Sequence, residues 1–234
     1  MTFEILYQDD YFIAINKPGG LLVHRTRIAE EESVFILQLL RDQVQRHLYP
    51  VHRLDRPTSG VLLFAFDAAT ARTLSEALVS GEVKKEYRAL VRGWLSAPVD
   101  LNYPVKNDRG NLQEAHTEFV PREYFVMYRP IGNYPSARYS VVSCFPHSGR
   151  WHQIRQHLAH LRHYIVNDRV HGDGKHNRVF KEELGIEPLF LHARYLILPH
   201  PVSGERICLK AQFPEHWQAF RELAIVETTG GETK

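Results

Sequence analysis

Residues 52–66 read HRLDRPTSGVLLFAF. One carboxylate, Asp55, stands between Arg53 and Arg56. A tight turn at Pro57–Gly60 follows, and then the apolar run Val61–Phe66, which reads as a buried strand. Charge packed at the mouth of a buried strand needs a reason. Neighbouring cations favour the ionised form of Asp55, and an ionised carboxylate can act as nucleophile or base. Pro57 restricts the backbone, and Gly60 permits close approach by another group. The same residues also read as a salt-bridged turn, and surface Arg–Asp pairs contribute little. Alone, the stretch leaves both readings open.

The elements around it suggest a fold class. Upstream, Phe3–Leu6 and Tyr11–Ile15 read as short strands, Asn16–Gly20 as a loop, and Leu21–His24 as an extended segment. Glu31–His47 has helical spacing, with Val34, Leu37, Leu40 and Val44 on one stripe. Downstream, Ala68–Ser80 reads as a helix opened near Asp67 and closed at Gly81. Glu82–Val91, Thr117–Tyr128, Tyr139–Phe145, Phe190–Pro199 and Glu205–Leu209 read as strands. Arg150–His163 and Glu215–Val226 read as helices. The polar stretch Asp100–His116 reads as a loop or flexible hairpin. Strands outnumber helices and do not alternate with them regularly. That pattern predicts an α+β fold with a mixed, mainly antiparallel sheet and flanking helices. No internal repeat or linker interrupts it, so one domain is expected over 1–226, with a polar tail at 227–234.

Composition narrows the function classes. The chain has 234 residues, 44% of them hydrophobic, which suits a real core. A net charge of +2 does not mark a nucleic-acid binder by itself. A polyanion site would have to come from local clustering. Two cysteines, Cys144 and Cys208, make neither a disulfide framework nor a Cys-rich zinc site. The N-terminus has no signal-peptide pattern, and no apolar run approaches the roughly 20 residues of a membrane helix. A soluble cytoplasmic protein is expected.

Two further clusters carry charge. Ser148–His163 reads SGRWHQIRQHLAHLRH, with Arg150, Arg155 and Arg162 among four histidines. If helical, it offers a cationic strip for phosphates, or a solvated basic face. His157, His160 and His163 have chelating spacing. Yet no HExxH, cysteine or carboxylate completes a zinc set, so RNA contact or packing is the better reading. In KKEYRALVRG, 84–93, basic residues surround Tyr87. They can grip a backbone and stack a base, or form an edge strand guarded by lysines. No G-x-S-x-G, Walker loop or G-x-G-x-x-G in context is present.

Taken together, these segments resemble the RluA-type pseudouridine synthases. The resemblance rests on NKPGGLLVH from Asn16, HRLDRPTSG from His52, KEYRALVRG from Lys85, GRWHQIRQHLAHL from Gly149 and LHARYLILPHPVSGE from Leu191, in the family's order. HLAHLRHYI and HGDGKHNR are similar to members that modify tRNA at uridine 65. No S4-like module precedes the match, as in those members.

The resemblance implies the pseudouridine synthase fold with a central active-site cleft. It also implies isomerisation of uridine to pseudouridine in RNA with no cofactor or metal; a monomer is expected. It assigns Asp55 as the catalytic residue. Arg53 supports a flipped-out uridine, Tyr87 stacks on the target base, Arg155 pairs with the catalytic aspartate, and Leu191 lines the pocket. Lys106 and Arg109 fall where relatives place an RNA-gripping loop. The implied partner is RNA, tRNA foremost; ribosomal RNA is the alternative substrate, and an RNA chaperone without turnover the alternative function. One departure stands out. The family's Gly-Asp then Tyr-Gly signature is Asn167-Asp168 then His171-Gly172 here, which puts that turn in question.

Overall fold

The computed structural model describes residues 1–23 and 35–227. Its first elements are β1 (Glu4–Gln8), β2 (Phe12–Lys17), α1 (Ile36–Val44), β3 (Tyr49–Pro50), β4 (Ser59–Ala65) and α2 (Ala68–Ser80). Then come β5 (Lys84–Arg92), β6 (Val99–Asn102), β7 (Val105–Lys106), β8 (Leu112–Gln113), β9 (His116–Met127) and β10 (Ala137–Pro146). The last are α3 (Gln153–His160), α4 (Gly174–Arg178), β11 (Leu191–Pro199), β12 (Arg206–Lys210), α5 (Glu215–Leu223) and β13 (Ile225–Glu227). The fold is α+β, mixed and mainly antiparallel, with flanking helices. Among the described residues, no helix is long and apolar enough to cross a membrane. The chain forms two compact units, Met1–Lys85 with Ala193–Gln212, and Glu86–His192 with Phe213–Lys234.

In the first unit β2 pairs antiparallel with β1 and β4, β4 also takes β3, and β11 lies beside β4 and pairs with β12. The apolar run expected to be a buried strand is β4, with Val61–Ala65 all buried. Such continuous burial marks a strand covered on both faces. Gly60 opens it with φ +113°, and a Cβ there would lie 2.6 Å from the Ala193 nitrogen. The close approach is therefore made by β11 backbone. Helix α2 matches its expected bounds. The Asp67 side chain accepts from the Thr70 N–H at 2.8 Å, and Gly81 ends the helix in the left-handed region. Leu74 and Ala77 of α2 pack with Phe12, Leu63, Leu196, Leu198 and Leu209.

In the second unit β10 runs between β5 and β9, and β9 also pairs with β6 and β13, all antiparallel. The β9–β10 register slips between Val141 and Val142, opposite Glu123 and Pro121. A bulge there accommodates a proline, which has no N–H for the ladder. The core is aromatic: Tyr139, Phe180, Phe190, Trp217 and Phe220 are all buried and meet largely edge to face.

Several expected elements change. Of the helix read over 31–47, residues 31–34 lie outside the described residues, and α1 buries Ile36 and Leu40. Leu21–Val23 is not a strand. The Leu22 and Val23 carbonyls accept from Ile36 and Leu37 N–H and so cap α1; His24 lies outside the described residues. The helix over 150–163 shrinks to α3, because His152 takes φ 52° and Leu161 ends it. The C-terminal helix stops at Leu223, since Ala224 turns extended and feeds β13. The stretch 100–116 is structured: β6 joins β9, and β7 and β8 form a hairpin. Of the tail, residues 228–234 lie outside the described residues.

Candidate active site

Asp55 sits in the connection between β3 and β4. Its carbonyl accepts from the Thr58 N–H at 3.0 Å and closes the turn. Beneath this turn lies a residue that sequence reading missed. Lys17, the last residue of β2, is fully buried. Its Nζ donates to the carbonyls of Pro18 at 3.0 Å, Arg56 at 3.0 Å and Thr58 at 2.7 Å. An ammonium has three donors, and all three are used. Burial pulls the Lys17 pKa down to about 7; the Asp55 charge opposes that fall and the Arg56 charge adds to it. The one available signal was a lysine ending a strand whose first four residues are apolar.

The two loops of the first unit are joined further. Gly20 N–H donates to the Arg56 carbonyl at 2.8 Å, and Arg56 Nε donates to the Gly20 carbonyl at 2.9 Å. A Cβ on Gly19 would lie 2.9 Å from the Pro57 oxygen. Arg56 therefore ties loop to loop, beyond the purely electrostatic task that sequence reading gave it. Arg53 is exposed. His52 accepts from the Leu63 N–H at Nε2, 3.2 Å away, so that nitrogen carries no proton. Burial, then the Lys85 charge, bring its pKa to about 4.

The second unit holds the other expected residues. Tyr87 lies on β5 opposite Cys144 of β10 and is partly buried. Its basic neighbours are engaged: Arg88 pairs with Glu86 at 2.7 Å, and Arg92 pairs with Asp173. Arg155 is not on an exposed strip. It is 4% exposed and forks onto Asp168, Nε to Oδ2 at 2.7 Å and Nη2 to Oδ1 at 2.8 Å. Arg162 lies beyond α3 with φ 61°. The histidines of the metal reading are engaged separately. His157 has Thr117 Oγ1 at 2.9 Å and the Tyr103 carbonyl at 2.8 Å, His160 stacks on Tyr103, and His163 has the Arg92 carbonyl at 3.1 Å.

Asp168 is the second residue that sequence reading missed as a partner. Val170 and His171 N–H groups donate to its Oδ1 at 2.9 Å each. Burial alone would raise its pKa, but the Arg155 fork and these two donors outweigh it and hold the carboxyl below its ordinary range. The departure at 167–172 also resolves. Asn167 takes φ 63°, a conformation Asn tolerates, and its Nδ2 donates to the Ile186 and Pro188 carbonyls. Gly172 is retained where a Cβ would collide with the Asp168 carbonyl.

Leu191 opens β11 and is buried in the core of the second unit. Lys106 and Arg109 are exposed on the β7–β8 hairpin. The hairpin is docked on α3: Lys106 N–H donates to Gln156 Oε1 at 3.0 Å, and Gln156 Nε2 donates to the Lys106 carbonyl at 2.8 Å. No sequence pattern pointed to Gln156.

Known proteins give a consistent comparison. The profile of a family described as RNA pseudouridylate synthase matches residues 11–160. The tRNA pseudouridine synthase C of Vibrio vulnificus (strain CMCP6) is 40% identical over 230 residues, 94% of each chain. That of Pasteurella multocida (strain Pm70) is 42% identical over 228 residues, 93% of this chain and 94% of the other. Among solved structures, human RNA Pseudouridylate Synthase Domain Containing 4 superposes with TM-score 0.74 at 25% identity, covering 96% of this chain and 94% of that one. Human RNA Pseudouridylate Synthase Domain Containing 1 shares the fold at TM-score 0.71 and 24% identity, covering 91% and 84%.

Proposed function

The chain belongs to the RNA pseudouridylate synthase family and is an isomerase, and from that premise we propose that it converts uridine 65 of tRNA to pseudouridine with Asp55 as the catalytic residue. The tRNA assignment follows the relatives named tRNA pseudouridine synthase C, which match nearly end to end. In the reaction N1–C1′ breaks, the base turns, C5 bonds to C1′, and the C5 proton is lost while N1 gains one. The change is redox-neutral. Asp55 either attacks C1′, adds to C6 or removes the C2′ proton, and each route begins from the ionised carboxylate. The target base must leave its stack to reach it. Arg53, Tyr87 and Leu191 are assigned to hold the flipped nucleotide, with Tyr87 stacking on the base, and Arg155 is assigned to pair with the catalytic aspartate. We place the enzyme in the cytoplasm as a monomer.

The observation that supports this reading best is the anchoring of the Asp55 turn. Lys17 holds the carbonyls on both sides of Pro57, so the turn bearing the carboxylate is fixed before substrate arrives. The test is tritium release from C5-labelled tRNA and ribosomal RNA. Wild type is expected to turn over tRNA, and Asp55→Asn to lose turnover by about 10³-fold or more while still binding tRNA. Normal turnover in Asp55→Asn would end the catalytic assignment. Turnover on ribosomal RNA with none on tRNA would replace the substrate, and no turnover on either would favour an RNA chaperone.

A further inference from the structure

Outside the residues assigned to the isomerase, one cluster on the second unit has the composition of a metal site. His116 and Glu118 are two apart on β9 and so share a face. Asp100 of β6 lies directly opposite Glu118 in the β6–β9 register. His147 follows β10 and meets the start of β9, where its N–H donates to the His116 carbonyl at 3.0 Å. Two antiparallel pairings thus bring side chains from β6, β9 and the segment after β10 together at one end of the sheet.

Their contacts are close. His147 Nε2 lies 2.6 Å from Glu118 Oε1, and His116 Nε2 contacts Asp100 Oδ1. The two imidazoles stack with centroids 4.3 Å apart. A ligand atom from each of His116, Glu118 and His147 lies within 4.8 Å of the other two. Among the described residues, no other group of three such side chains meets that condition.

We propose that His116, Glu118 and His147 form a binding site for a divalent transition-metal ion of the zinc class. Two imidazole nitrogens and one carboxylate oxygen are the ligand types zinc accepts, whereas magnesium and calcium favour oxygen alone. Tetrahedral zinc ligands lie about 3.4 Å apart for bonds near 2.1 Å. The cluster reaches that spacing by turning the His147 ring about χ2, a soft torsion in histidine. Asp100 in contact with Nε2 of His116 holds that ring and leaves Nδ1 as its ligand atom, as outer carboxylates do for metal-bound histidines. The side chains of His116, Glu118 and His147 are 37–48% exposed, so an ion has an entry path and water can complete its shell.

The position gives the site a consequence. Asn102 and His116 pair where the chain leaves β6 and returns into β9, so the cluster stands at the root of the 103–115 arm that carries the β7–β8 hairpin. A bound ion would staple that root to the end of β10. The site supplies nothing to the isomerisation and stands whether or not the tRNA reading holds.

Calorimetric titration of the full chain with zinc chloride tests it. One equivalent is expected to bind with a Kd in the micromolar range. His147→Ala and Glu118→Gln are expected to weaken it by at least about tenfold. Cobalt(II) titration of the wild type serves as the second measurement, should a variant fail to fold. It is expected to give visible d–d bands that added zinc abolishes. The proposal is overturned if wild type takes up no zinc at about 100 µM. It is also overturned if uptake is unchanged in the His116→Ala/His147→Ala double variant, because other histidines would then be the ligands.

Discussion

Lys17 and Asp168 organise the residues to which the chemistry is assigned. The Lys17 ammonium satisfies three buried carbonyls around the Asp55 turn. Lys17→Met keeps the volume but leaves those acceptors unbonded. We expect a loss of about 3 kcal/mol or more, which for a chain of this size lowers Tm by roughly 6–12 °C; thermal unfolding checks it. Asp168 has its pKa below the ordinary carboxylate value in the folded state. Its stabilising contribution is therefore complete above about pH 4 and is lost as pH falls toward the folded-state value. Asp168→Asn should be destabilised at pH 7 by about 3–5 kcal/mol, because the buried Arg155 charge loses its partner. It should also lose less stability than wild type on acidification to about pH 3. Urea unfolding at the two pH values reads both effects, and an equally steep acid loss in the variant would refute the assignment. Asp55 was legible because its charged setting is written in consecutive residues. Lys17 left only a faint local signal and Asp168 none, because burial and three-dimensional partners are not written in consecutive residues.

At the level of elements, periodicity and punctuation read well where each element is stabilised locally. Helix α2 carries both of its stops in the sequence, Asp67 and Gly81, and forms between them. Helix α3 does not. Its start is set by His152 in a left-handed conformation and by Gln153, whose Nε2 reaches the His116 carbonyl and Thr117 Oγ1. Strand β13 was read as helix because its partner, β9, is about a hundred residues away in sequence. The β4–β11 approach is a tertiary feature resting on one glycine. Gly60→Ala places a methyl group in the Ala193 backbone and forces an L side chain to φ +113°. The expected result is loss of soluble protein, or a Tm lowered by more than about 10 °C. A scan matching wild type would show that the strands can separate without cost. Gln156 makes the complementary point. A single side chain pairs with the Lys106 backbone as a strand would, and so fixes a hairpin that composition alone made look loose.

For the whole molecule, composition allowed a real core but said little about the substrate. A net charge of +2 is a weak signal for an RNA enzyme. Part of the basic content has a structural use: Arg155, Arg88 and Arg92 are in ion pairs, and Lys17 is buried. Affinity for RNA should then depend on the exposed cations, Lys106 and Arg109 among them. Binding to tRNA is expected to weaken with salt, and Lys106→Ala/Arg109→Ala to flatten the log–log slope by about 0.7–0.9 per lost phosphate contact. Filter binding across a salt series measures it, and an unchanged slope would remove these residues from the interface. The order of the family's motifs was legible because it is linear; the division into two units was not, because the first is built from separate pieces of chain. That discontinuity matters during synthesis. More than a hundred residues are translated between Lys85 and Ala193. At 5–20 residues per second, β4 waits roughly 5–20 s on the ribosome for its neighbour β11. A nascent chain with an apolar strand edge open for that long is a client for chaperones that act during translation, and slowing elongation through 86–192 would lengthen its exposure to misassembly.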